Sequence, residues 1–188
     1  MLGHFYANKN AGSFFVPELN SQVIIGFLDN DPRFPVVLGS LYSKINTPKE
    51  TFTKENNIKA IVTKAGIRLE FDDKDKVFTV LTPGKNTLVI SDKDKGVKIE
   101  DQNGNVFTTN DKGVTLTSKK DIKVTATGKL ELSGSKGVVL SSSGGDVKVE
   151  GKNVNLKASA KVEVNGSAGA DIKSSSVINV KGSMVNIN

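Results

Sequence analysis

Pairs of apolar residues separated by one residue, usually polar, recur through the second half of the chain. They are Leu88/Ile90, Val97/Ile99, Val114/Leu116, Ile122/Val124, Leu130/Leu132, Val138/Leu140, Val147/Val149, Val154/Leu156, Val162/Val164, Ile178/Val180 and Val185/Ile187. Val106/Thr108 and Ala170/Ile172 fill the two gaps as weaker members. Most spacings between first members are eight residues, so the pattern is an octad repeat. Each pair places two side chains on one face of a strand. Gly, Ser, Asn, Asp and Lys occupy the gaps, where corners are expected. Gly96, Gly113 and Gly137 immediately precede the first apolar member, where the backbone would bend into the next face. A helix is excluded, because the pairs lack i, i+3, i+4 continuity. A disordered tail would not hold apolar pairs in register over so many repeats.

One octad cannot bury its own apolar side, so the repeats must stack. A single chain could coil with three octads per turn, rising roughly 20 Å in all. Three interleaved chains would instead make a triangular prism, each octad supplying one strand, with a shaft of roughly 60 Å. The lean composition favours the trimer. Only 6% of residues are aromatic and there is no Trp, which suits a thin core of Val, Ile and Leu. The predicted core consists of Val97, Ile99, Val114, Leu116, Ile122, Val124, Leu130, Leu132, Val138, Leu140, Val147, Val149, Val154, Leu156, Val162, Val164, Ile178 and Val180.

The first part of the chain follows a different rule. Residues 22–28 and 35–41 form two runs rich in β-branched residues around Asp29-Asn30-Asp31-Pro32, which predicts a hairpin. Phe14-Phe15-Val16 reads as a short strand stopped by Pro17. The expected division is residues 1–50 as a barrel segment, 51–87 as linker and irregular start, and 88–188 as the repeat.

Gly12-Ser13-Phe14-Phe15-Val16-Pro17, Val23-Ile24-Ile25-Gly26-Phe27, Asp31-Pro32-Arg33-Phe34-Pro35-Val36 and Gly39-Ser40-Leu41-Tyr42 stand in order at short gaps. This series resembles the oligonucleotide/oligosaccharide-binding (OB) segment of the VgrG and phage baseplate spike family. Asn20-Ser21-Gln22 departs from that family's usual turn. The resemblance implies an all-β protein, a partial OB barrel followed by an intertwined triple-stranded β-helix. It implies a homotrimeric, non-enzymatic needle that pierces a target envelope in a contractile injection system, of type VI, phage or extracellular particle origin. Implied partners are a PAAR-repeat tip protein, Hcp-like tube and baseplate proteins through upstream domains, effectors, and transiently the target membrane. Met184, Val185 and Ile187 would seat the tip protein. The implied location is the bacterial cytoplasm before contraction, with injection afterwards and no signal peptide. The large base domains that members of the family carry upstream are not in this sequence.

The other chemistry reads as structural. The net charge of +6 comes from basic residues interspersed with acidic ones, a solvated surface more than a nucleic-acid site. Phe14, Phe15, Phe27 and Phe34 have no basic cluster among them and are expected to pack in a core. His4 is the only His, too little for a Ser-His-Asp site or a His-rich metal site, and no cofactor is expected. Asp101 to Asn105 resembles the start of a calcium loop, but Lys112 stands at position twelve, so a turn is expected. Asp72, Asp73 and Asp75 fall in a predicted hairpin turn. The rival reading is a monomeric β-helix that binds or cleaves polysaccharide.

Overall fold

A computed structural model describes residues 1–187, which are all-β apart from one short 3₁₀ turn. The chain divides into two units, Met1–Thr125 and Ala126–Asn188. In the first unit, β1 (Ala7–Asn8) and β2 (Ala11–Gly12) form a small hairpin. The predicted hairpin is β3 (Val23–Phe27) against β4 (Pro35–Ser40), antiparallel with an irregularity between Ile24 and Ile25. Asp31 ties its polar reversal, accepting bonds from the Arg33 amide at 2.9 Å and the Arg33 guanidinium at 2.6 Å. Phe14-Phe15-Val16, expected as a strand, pairs with no strand.

Residues 58–117 form an antiparallel meander of seven five-residue strands, each beside its neighbours in sequence. They are β5 (Ile58–Val62), β6 (Arg68–Asp72), β7 (Val77–Leu81), β8 (Thr87–Ser91), β9 (Gly96–Glu100), β10 (Val106–Asn110) and β11 (Gly113–Thr117). Two expectations change. Three full strands lie in the span 51–87 that read as linker and irregular start. The first octads, at 88, 97, 106 and 114, pair with each other inside one chain instead of interleaving with other chains. The physical reason lies in the turns, which reverse the chain where octad corners would only deflect it.

Those turns reveal a two-strand repeat that the apolar pairs concealed. On one edge, Thr63, Thr82 and Asp101 each accept the amide N–H four residues on, at 3.1, 3.2 and 2.9 Å. On the other edge, Asp72, Ser91 and Asn110 accept amide N–H groups two or three residues on, each at 2.9 Å. Short polar side chains that bond to nearby backbone stabilise tight turns. The third residue after each of Thr63, Thr82 and Asp101 has positive φ: Gly66 (88°), Lys85 (65°) and Gly104 (80°). Lys85 therefore holds a conformation that costs an L side chain about 1–2 kcal/mol. Lys85→Gly is expected to raise stability by about 0.5–1 kcal/mol per chain, since glycine's added unfolded-state freedom offsets part of the relief. A thermal melt with an unchanged or lower midpoint would contradict that reading.

After Thr117 no segment among the described residues pairs with another. The backbone instead bends at 119–120, 127–128, 135–136, 143–145, 152, 159–160, 167–168, 175–176 and 183, keeping the octad period. Every apolar pair from Ile122 onward lies between two bends, or after the last of them. In the clear pairs the first members are 50–56% exposed and the second members 66% or more, so the repeat is geometric as well as compositional. Two corners are especially tight. A Cβ on Gly134 would lie 2.4 Å from the Gly137 carbonyl oxygen, and one on Gly166 would lie 2.1 Å from that of Gly169.

Candidate subunit interface

Alternation along the meander strands sorts their side chains onto two faces. The pairing register aligns Ile61, Leu69, Val80, Leu88, Ile99, Phe107 and Leu116 in one row. A second row on the same face runs Lys59, Phe71, Phe78, Ile90, Val97, Thr109 and Val114, with the one charge at its outer end. Phe71 and Phe78 pack with ring centroids 5.0 Å apart. The opposite face carries Arg68, Glu70, Thr79, Lys98, Glu100, Thr108 and Thr115 interspersed with Val62, Val77, Leu81, Val89 and Val106. The meander is therefore apolar on one side and mixed on the other, the pattern of a sheet that packs against a second layer.

Among the described residues of the first unit no such layer covers the meander. Among the described residues no hydrophobic side chain is buried; Ser91 alone is. The exposed surface is 17659 Å². A folded globular chain of 20.0 kDa would expose about 8,700 Å² by the usual scaling of area with mass. The coil has a second deficit. Beyond Thr117 one backbone–backbone hydrogen bond occurs among the described residues, Gly137 N–H to Gly134 O at 3.3 Å. Extended backbone needs partners for its N–H and C=O groups, and strands of other chains supply them most economically.

The predicted core residues fall into two sets. Val97, Ile99, Val114 and Leu116 stand together on the apolar face of the meander. Ile122, Val124, Leu130, Leu132, Val138, Leu140, Val147, Val149, Val154, Leu156, Val162, Val164, Ile178 and Val180 recur in the coil, all exposed. Sequence reading missed Ile61, Leu69, Phe71, Phe78, Val80 and Phe107. The signal was present as period-two pairs, Leu69/Phe71 and Phe78/Val80, and the turn predicted at Asp72, Asp73 and Asp75 does join β6 to β7, but the span as a whole read as linker and irregular start. It also placed β10 one residue out of phase: Phe107 and Thr109 share the apolar face, whereas Val106 and Thr108 point the other way. Met184, Val185 and Ile187 are exposed in the last described segment. Asn188 lies outside the described residues.

Phe14, Phe15, Phe27 and Phe34 correct another expectation. All four rings are exposed in the chain, because the β3–β4 hairpin has no opposing layer to make a core. The Arg33 guanidinium lies 5.8 Å from the Phe34 ring centre and is also held by Asp31. Glu50, in the stretch joining β4 to β5, and Glu70 flank the Arg68 guanidinium, which bonds to Glu70 through Nε at 2.7 Å. These two carboxylates raise the Arg68 pKa above its usual value, and Arg68 in turn lowers that of Glu50. The trio fastens the joining stretch to β6.

The segment from Asp101 to Asn105 is a turn between β9 and β10. The Asp101 carboxylate accepts the Asn105 amide and side chain and the Asn103 amide, which holds its pKa at about 2. Among the described residues no three His, Cys, Asp or Glu side chains are grouped to hold a metal. Asp101 is a carboxylate with a lowered pKa, so the stability it contributes is present above about pH 4. That contribution is lost as pH falls toward 2. Asp101→Asn is expected to make the acid-unfolding curve shallower between about pH 4 and 2. Parallel curves for the two proteins would rule this out.

Residues 2–42 match a family model described as the type VI secretion system/phage-baseplate injector OB domain. Residues 77–168 match one described as the phage baseplate V C-terminal trimerisation domain. Together the matches span more than two thirds of the chain. No curated protein matches it.

Proposed function

Because the chain belongs to the family of phage-baseplate and type VI secretion injector spikes, we propose that its homotrimer is the rigid needle that sheath contraction drives through a target envelope. The observation that carries this reading is the double deficit of the single chain: an uncovered apolar sheet face and a long extended backbone without partners. Three copies would turn their meander faces inward and interleave their coils, removing both deficits together. The result would be stiff, because every strand bonds along the axis and the core is thin. The chain would work mechanically, without making or breaking a covalent bond. Lys, Asp and Ser on the outward positions would keep it soluble.

In this reading Met184, Val185 and Ile187 from three chains form an apolar seat for a small PAAR-repeat tip protein. Tube, baseplate and effector proteins would join through other parts of the particle. Assembly would occur in the bacterial cytoplasm, with delivery by contraction. The rival, a single-chain coil acting on polysaccharide, requires successive turns of one chain to pair with each other. The described coil makes no such pairs. Solution mass separates the two. Three chains of 20.0 kDa give about 60 kDa, whereas a stable species of about 20 kDa would end the needle reading.

A further inference from the structure

We propose that Asn165 is a site of spontaneous covalent modification, at which the folded coil converts its own amide side chain into an aspartyl or isoaspartyl link. The inference does not depend on the needle reading, because it rests on the shape of one corner of the coil.

Two corners share one design. Residues 134–137 read Gly-Ser-Lys-Gly and residues 166–169 read Gly-Ser-Ala-Gly, and each bends the backbone at its two middle residues. The closing glycines, Gly137 and Gly169, have φ of 143° and 149°, a conformation that glycine alone adopts readily. In each corner a Cβ on the opening glycine would overlap the carbonyl oxygen of the closing one. Glycine at 166 is therefore fixed by geometry. The residue before it is not, since Ser133 stands there in one corner and Asn165 in the other.

Asparagine is a thermolabile residue. It reacts most readily before glycine, because no Cβ blocks approach to the glycine nitrogen. The Gly166 nitrogen attacks the carbonyl carbon of the Asn165 side chain. A new C–N bond forms, the bond to Nδ2 breaks, and the proton of the attacking nitrogen leaves with Nδ2 as ammonia. Water then opens the cyclic imide at either carbonyl. One product is an aspartyl link, and the other is an isoaspartyl link whose backbone is longer by a methylene. Both carry a new carboxylate, at a corner without room even for a Cβ.

The reaction needs a glycine N–H that is free and a side chain that can turn toward it. Asn103-Gly104, the other such pair in the chain, meets neither condition. The Gly104 N–H donates to the Asp101 carbonyl at 3.0 Å, and Asn103 Nδ2 points to the Asp101 carboxylate at 3.4 Å. Asn165 and Gly166 are exposed, and among the described residues the Gly166 N–H donates to no backbone carbonyl. Association leaves this pair open. Alternation sets Asn165 on the side of Glu163, away from any core that Val162 and Val164 face. Gly166 lies beyond that triplet, where the chain enters the bend.

The full-length protein is incubated in mildly alkaline buffer, folded and in denaturant, until half of the denatured chains have reacted. Trypsin then releases residues 162–173, whose only amide side chain is Asn165, and residues 99–112, which contain Asn103. Mass spectrometry reads the exchange of amide for carboxyl, and an isoaspartyl methyltransferase labels the isoaspartyl product. In the folded protein Asn165 is expected to convert several-fold faster than Asn103, and denaturant is expected to bring the two rates together. Asn165→Ser, which copies Ser133 at the matching corner, is expected to melt like the parent and to take no label in residues 162–173. Asn165 unchanged in the folded protein, or Asn103 converting as fast, would overturn the proposal. A clearly lower melt for Asn165→Ser would overturn the premise that the corner constrains Gly166 and leaves position 165 free.

Discussion

Ile99→Asp is expected to abolish assembly, leaving aggregated or degraded chains where the parent protein gives a trimer. Ile99 lies at the middle of the apolar face, between Leu88 on β8 and Phe107 on β10. In the single chain it is 48% exposed, so a protein that worked alone would tolerate aspartate there with little loss. In the trimer three carboxylates would converge on the axis with no partner. An uncompensated buried charge costs about 3–5 kcal/mol, and three copies multiply the loss within one assembly. That is comparable to the whole stability of an ordinary domain. Lys98→Ala, one residue away on the mixed face, is the control and is expected to assemble normally. Size-exclusion chromatography with light scattering checks both. A normal trimer of Ile99→Asp would mean that the apolar face is not the interface.

The second large effect lies in the coil. Leu130→Ala combined with Leu132→Ala is expected to lower the thermal midpoint of the assembly by about 10 °C or more. Each buried leucine cut to alanine loses about 2–5 kcal/mol, and three chains contribute six such losses. The flanking charged pair Lys129 and Glu131, bridged at 2.6 Å and exposed, supplies the contrast. Removing both of those charges is expected to cost less than about 1 kcal/mol per chain. Within the single chain the two leucines are as open to solvent as typical surface residues. The size of the difference therefore measures burial that only association creates. Equal, small shifts for the two double variants would show that the octad pairs do not face a core.

Much of this was readable from local pattern. The octad pairs announced an all-β chain with a regular repeat, because alternation and period depend only on which residues are apolar and how far apart they stand. The Asp29 to Pro32 reversal announced the β3–β4 hairpin, because its turn chemistry is local. The meander was less legible for a specific reason. Its two-strand repeat, from Thr63 to Thr82 to Asp101, is one residue longer than two of the nine-residue octads. Apolar spacing therefore could not separate a chain that reverses from one that turns a corner. The distinction rested on Thr63, Thr82 and Asp101 themselves, whose side chains cap tight turns. In β10 the pleat went astray because Val106 and Phe107 are both apolar, and only cross-strand partners decide which of them faces inward.

The order of residues by itself determined the class of structure and the repeat length, and favoured association over a single-chain coil. A chain this poor in large side chains, with short apolar pairs at fixed intervals, suits a thin core shared between chains better than one of its own. The tertiary structure decided where self-pairing ends. Up to Thr117 each strand of the meander finds its hydrogen-bond partner in the next strand of the same chain; beyond it the backbone turns corners and, among the described residues, none does. Hydrogen-bond direction at each turn draws that line, and it is a property of backbone geometry that hydrophobic spacing does not encode.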